Sequence, residues 1–166
     1  MPQASAYTIE PATHDHIPHL AAHLRLADRL EVRASHGHTP EEALRDSLDC
    51  SAKAWTLLVE NAGFSHFLPA AMWGVAPAGG PLSFTGRPWL LATPALHAVD
   101  RQFIRQSRHY VAAMQAAFPR LENWCYAGNA LSLRWLTWCG FTVERDKPVS
   151  FRGEPFYFFW KEAYHA

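Results

Sequence analysis

The sequence predicts an α/β domain: a mixed, largely antiparallel central sheet of six or seven strands, with helices on both faces and one parallel central pair. Three observations predict it. Apolar residues make up 49% of the 166 residues and seven are Trp, which suffices for one packed core. The first half passes from helical apolar stripes to a hairpin pattern. The second half alternates strand and helix, so the strands at Trp89 and Leu121, joined through a helix, should lie parallel. No repeat or linker divides residues 1–166, and a single domain is expected.

The elements follow in order. Tyr7 to Glu10 reads as a short strand closed by Pro11. Asp15 is the expected cap of the next segment, where Ile17, Leu20, Ala21 and Leu24 recur at helical spacing. A second helical piece runs through Asp28 to Ser35 and stops near Gly37. Thr39-Pro40-Glu41-Glu42 starts a third helix: Thr39 caps, Pro40 sits where its missing N–H is harmless, and Glu42 completes a capping box. That helix turns Ala43, Leu44 and Leu48 inward. Ala54 to Val59 and Leu68 to Val75 read as a hairpin, with Asn61-Ala62-Gly63 as its turn and Pro69 as an early interruption.

Ala76 to Gly86, rich in Pro and Gly, reads as a loop. Trp89 to Ala92 is a short apolar strand, as expected for one buried on both faces. Thr93-Pro94 starts the next helix, which presents Phe103, Ser107, Tyr110, Val111, Met114 and Phe118 on one face and ends at Pro119. Leu121 to Tyr126 is a strand. Asn129 caps a helix that runs through Cys139 and stops at Gly140. Phe141 to Val143 and Pro155 to Trp160 complete the sheet.

Charge narrows the function classes. Lys plus Arg and Asp plus Glu are 15 each, so nothing global recruits nucleic acid or an anionic membrane. Cys50, Cys125 and Cys139 are widely spaced, and they read as buried thiols of a reducing compartment. The N-terminal residues carry no secretory pattern and no apolar run is long enough for a membrane span, so a cytoplasmic protein is expected. His14, His16, His19 and His23 form a dense run. His19 and His23 share a helix face, but two ligands without an acidic or thiol partner do not make a zinc site, and no metal is expected.

The segment Asn129 to Phe141, NALSLRWLTWCGF, resembles the closing motif of the GNAT acetyltransferase superfamily. Asn129, Ser132, Trp135, Gly140 and Phe141 match it, while Leu136 stands where a Tyr is common. The element order of nearly the whole chain is similar to that family. The runs PWLLATP, FIRQSRHYV, FPRLENW and GEPFYFFW look like a narrower group, the GNAT-fold proteins of tailed phages and prophages, some of them internal virion proteins.

The resemblance implies a site. Leu90, Leu91, Ala92 and Thr93 would pair with the pantetheine arm of acetyl-CoA, with an oxyanion donor near Leu91 or Ala92. Asn129 and Ser132 would stand at the mouth of the slot, Asn129 also as helix cap. The family's Gly-rich phosphate loop is replaced by ATPALHAVDRQF, so Leu96, His97 and Ala98 would offer N–H groups, with Arg101 or Arg105 supplying charge. Tyr126 or Ser132 would replace the missing Tyr as general acid. Glu60 or His66 would be the general base. The implied partners are an amine acceptor, small molecule or protein, or phage virion components if the chemistry is lost.

Overall fold

The computed structural model describes residues 6–61, 64–99 and 101–164, leaving aside the side chains of 101 and 102. The turn expected at Asn61-Ala62-Gly63 therefore lies outside the described residues at its last two positions. Strands β1 (Tyr7–Pro11), β2 (Lys53–Glu60), β3 (Phe67–Pro77), β4 (Thr85–Ala92), β5 (Arg120–Tyr126), β6 (Thr142–Phe151) and β7 (Glu154–Glu162) form one sheet of order β1-β2-β3-β4-β5-β7-β6. All neighbours are antiparallel except β4 and β5. The expected mixed sheet with a parallel central pair is the observed one.

Helices α1 (Ile17–His23), α2 (Leu26–His36) and α3 (Pro40–Cys50) cover one face, and α4 (Arg101–Ala117) and α5 (Ala130–Trp138) the other. Ile17, Leu20, Leu44, Met72 and Leu91 form the core under α1–α3. Val75, Ala92, Val111, Met114, Leu121 and Leu133 form the larger core under α4 and α5. The α3 capping box is present: Glu42 N–H donates to Thr39 Oγ1 at 3.3 Å, and Thr39 N–H to Glu42 Oε2 at 2.8 Å. Gly140 ends α5 at φ 84°, a backbone state that a Cβ would strain.

Several boundaries depart from expectation for physical reasons. Asp15 is no cap; it lies inside a 3-10 turn, His14–His16, capped by Thr13. Thr93 caps a 3-10 turn, Pro94–Ala98, and α4 starts separately at Arg101. Strand β4 starts earlier than expected because Ala78 N–H bonds Thr85 C=O at 2.8 Å, which extends its ladder with β3. Pro69 is tolerated in β3 because the β2–β3 register shifts between Leu57 and Leu58. Strands β6 and β7 form a long hairpin, turned by Arg152 and Gly153 at φ 49° and 84°, values that suit the twist of a two-residue hairpin loop. Cys50 is exposed, not buried as expected, because α3 ends there at the surface; Cys125 and Cys139 are buried. Among the described residues, no helix is long and apolar enough to cross a membrane.

Candidate active site

The site begins with which way each backbone group points. Thr93 N–H bonds Ala70 C=O at 2.8 Å, and Ala78 N–H bonds Thr85 C=O at 2.8 Å. These two bonds fix the phase of the β3–β4 ladder. Residues 85, 87, 89, 91 and 93 aim their N–H and C=O groups at β3; Gly86, Pro88, Leu90 and Ala92 aim theirs at β5. Strand β5 reaches β4 only through Thr85↔Arg120 and Gly86↔Leu121. Beyond that pair the strands part. Pro88 in a central strand follows from this: the direction in which it lacks an N–H is the gap, so no ladder bond is lost.

Side chains lace both ends of the gap. At the closed end Asn123 Nδ2 donates to Pro88 C=O at 3.0 Å, and its Oδ1 accepts from Trp124 N–H at 2.9 Å. At the open end Arg25 N–H donates to Ala92 C=O at 2.9 Å, and Ala92 N–H donates to Asp28 Oδ2 at 3.1 Å. Opposite, Tyr126 N–H donates to Glu31 Oε2 at 3.0 Å. Between these ends, the gap-facing N–H and C=O of Leu90 meet no strand. Around them lies a cavity of about 600 Å³, bounded by α2, α3 and the β6–β7 hairpin on one face and by Val111, Met114 and Leu136 on the other. Trp89, Trp124 and Trp135 wall this cavity without filling it.

The polar centre of the gap is a buried knot. Asp28 is 0% exposed and Arg25 8%. Arg25 grips Asp28 bidentately, through Nε at 2.7 Å and Nη2 at 2.9 Å, so the buried carboxylate is paired. Asn129, 1% exposed, does two jobs. Its Oδ1 accepts from Ser132 N–H at 3.3 Å and caps α5. Its Nδ2 donates to Asp28 Oδ1 at 3.2 Å and to Glu31 Oε2 at 3.4 Å. Glu31 lines the cavity, and its carboxyl is pushed up to about 7 by burial first and by the Asp28 charge second. Bonds from Tyr126 N–H, Asn129 and Cys125 pull the other way and lose.

The sequence-derived candidates divide. Leu90, Asn129 and Ser132 come together at the gap, and Ser132 Oγ accepts from Arg25 Nη2 at 3.4 Å. The N–H groups expected as oxyanion donors are both engaged elsewhere: Leu91 aims at β3 and Ala92 N–H donates to Asp28, which leaves the Leu90 N–H facing the gap. Thr93 pairs with β3 and accepts from Ala95 N–H at 3.3 Å. In the 3-10 turn, Leu96 N–H is held by Thr93 C=O at 3.1 Å, and His97 is exposed. Arg105 is exposed on α4, outside the cavity lining, and the Arg101 side chain lies outside the described residues. Tyr126 turns its ring onto Phe156, with centroids 5.7 Å apart, and its side chain lies outside the lining. Burial and the Glu154 carboxylate push its phenol up. Glu60 is exposed at the end of β2, two strands from β4; His66 is exposed too.

Sequence reasoning missed Arg25, Asp28, Glu31 and Asn123. The available signal was the three-residue spacing of Asp28 and Glu31, which puts both on one helix face, with Arg25 just ahead of the helix. Among the ring nitrogens of the His run, His14 Nε2 meets Asp49 at 2.7 Å and His16 Nε2 meets Glu10 at 3.0 Å, while the rings of His19 and His23 stack at 4.4 Å.

No protein-family model matches the chain, and no curated protein matches it. Solved structures do. The NatC complex bound to Gag peptide and CoA aligns at TM-score 0.65 and 10% identity, over 95% of this chain and 99% of that one. The ribosomal-protein-S5-alanine acetyltransferase from Vibrio fischeri aligns at TM-score 0.61 and 14% identity, over 96% and 97%. An acetyltransferase of the GNAT family from Streptococcus pneumoniae aligns at TM-score 0.56 and 13% identity, over 95% and 99%. The chain therefore has the GNAT acetyltransferase fold across nearly its whole length.

Proposed function

We propose that the chain is an acetyl-CoA-dependent N-acetyltransferase in which Glu31 is the general base and the Leu90 N–H is the oxyanion donor. The observation that carries this reading is the gap itself: Leu90 keeps an N–H and a C=O free of strand partners, in a cavity also lined by Glu31, whose carboxyl is raised to about 7. Two solved structures of this fold that hold CoA or acetyl-CoA support the choice of donor. Leu90 fits the extended arm of such a donor, and the start of α4 fits its phosphates through the positive end of a 17-residue helix.

Acetyl-CoA supplies an activated thioester. The chain's own groups do the rest. The amine enters on the α2–α3 face, and Glu31 takes the proton that the nitrogen sheds as it forms its bond to the acetyl carbon. Leu90 N–H faces the carbonyl oxygen as negative charge gathers there. The carbon–sulfur bond breaks, and the thiol leaves with one proton, so amine and acetyl-CoA become amide and CoA. Ser132 is the hydroxyl at hand for that proton; Tyr126 reaches it only by turning away from Phe156. Trp124 and Trp135 keep bulk water from the gap. A cytoplasmic location goes with this reading, since buried reduced thiols and acyl donors coexist there.

The test is product mass. Incubation with acetyl-CoA and an amine panel should give acetylated amine and stoichiometric CoA. Leu90→Pro removes the gap-facing N–H without a ladder bond, so it should keep the circular dichroism spectrum and lower kcat about 10²–10³-fold. Full activity of that variant contradicts the role of Leu90.

A second reading is a catalytically silent protein of the phage virion type. It is favoured by the mouth at Ala92, where Arg25 and Asp28 occupy the backbone groups that a donor arm would use. Calorimetry separates the two: heat from acetyl-CoA at millimolar concentration supports the enzyme, and none supports the silent form.

A further inference from the structure

Two rulers cross the outer half of the cavity. Along β4, Leu90 and Arg87 are three residues apart, about 10 Å. Along α2, Glu31 and His36 are five residues apart, about 7–8 Å. Arg87 and His36 both line the cavity and lie close enough for their charges to interact. The cavity thus has a deep end, lined by Glu31 and Leu90, and an outer end built around Arg87.

The outer end is cationic. The Arg87 guanidinium has no hydrogen-bond or ion-pair partner among the described residues. The Arg152 charge acts on the same His36 ring as Arg87 does, while Arg152 Nη1 donates to Ala34 C=O at 3.1 Å and Ser35 C=O at 3.0 Å. A carboxylate at this mouth, Asp46, lies 3.7 Å from His38 Nε2, and its charge offsets part of the arginines' effect on His36. His36 is held below its ordinary value by burial first, then by His38, Arg152 and Arg87. Trp89, Trp124 and Phe156 give the cavity apolar walls.

We infer that the acceptor is a primary amine carrying an anionic group about 7–10 Å from its nitrogen across an apolar middle, and that Arg87 binds that anion. This rests on the acetyl-transfer reading for the amine end only. A carboxylate or phosphate at Arg87 meets an unpaired fork of N–H donors, and the flanking charges focus an anion there. The amine then falls between Glu31 and Leu90. A cationic tail would face Arg87 and Arg152, and a neutral tail would leave the guanidinium unused.

The test uses matched probes with the full chain: 6-aminohexanoate, its primary amide and 1,6-diaminohexane, with acetyl-CoA as donor. The expected kcat/KM for the acid exceeds that for the amide at least tenfold. Arg87→Ala should bring that ratio to near one, chiefly through KM, and Arg87→Lys should restore part of it. Binding of 6-aminohexanoate is also read by calorimetry without donor, where Arg87→Ala should weaken it at least tenfold. A peptide arm, Ala-Phe-Glu amide against Ala-Phe-Gln amide, shows whether the anion comes from a peptide or a small molecule; preference for the acidic member of either pair supports the inference. Equal turnover of all three hexyl probes and both peptides overturns it and leaves acetyl transfer standing. Binding that depends on Arg87 with no turnover supports the anion site and counts against acetyl transfer. Absence of both binding and turnover for every anionic probe overturns the inference.

Discussion

At the scale of single residues, Glu31 carries the heaviest consequence. Its carboxyl is raised from an ordinary carboxylate value to about 7, so the folded chain prefers it protonated. The stability that comes with the bound proton is fully present below the unfolded value. It is lost as pH rises through the folded value, up to about 3 kcal/mol between pH 4.5 and 7. Glu31→Gln keeps the shape and drops the titration. Urea unfolding should therefore show the variant and the parent matching near pH 4 and the variant more stable by up to about 3 kcal/mol at pH 8. Cysteines give a second residue-level prediction. Burial pushes the Cys125 thiol far up and the Cys139 thiol up to about 12, while Cys50 is exposed. A disulfide reagent should titrate one fast thiol in the native chain and three after unfolding. Two fast thiols would mean that the α5 side of the core opens.

At the scale of elements, α2 is the piece that turns a sheet into a site. It lies across the gap, tied to β4 through Asp28 and Ala92, to β5 through Glu31 and Tyr126, and to the hairpin turn through Arg152. Arg25→Ala would strand the Asp28 carboxylate in the interior and should cost about 3–5 kcal/mol in chemical denaturation. Arg152→Ala removes two charge-assisted bonds at the helix end, partly in solvent, and should cost about 1–2 kcal/mol, a fall in Tm of a few degrees. The sequence made α3 and α5 legible because their signals are local: Thr39 with Glu42, and Asn129 with Gly140. Helix α2 was legible as a helix and not as a site. Its Leu26 is 72% exposed while Asp28 is wholly buried, so the apolar and charged residues sit opposite to the usual rule. Only contacts to residues 92, 126 and 129, far along the chain, explain that inversion.

At the scale of the whole molecule, the architecture followed from strand and helix order, including the parallel pair that makes splaying possible. What the order did not contain is the phase of the β3–β4 ladder. That phase decides whether Leu90 or Leu91 faces the gap: Leu91 aims at β3, so the proposed oxyanion donor is Leu90. It also gave Pro88 its reason. The gap is closed at one end by Asn123 and held at the other by Arg25 and Asp28, and the proposed chemistry pairs Glu31 with Leu90 in the open stretch between.

The pH profile of acetyl transfer tests that pairing most directly, measured as kcat/KM for the parent and for Glu31→Gln with one amine. The parent should rise tenfold per pH unit up to a break near 7 and then level, with the variant at least 100-fold slower and without that break. A variant that matches the parent in rate and keeps the break would contradict the assignment of Glu31 as the base.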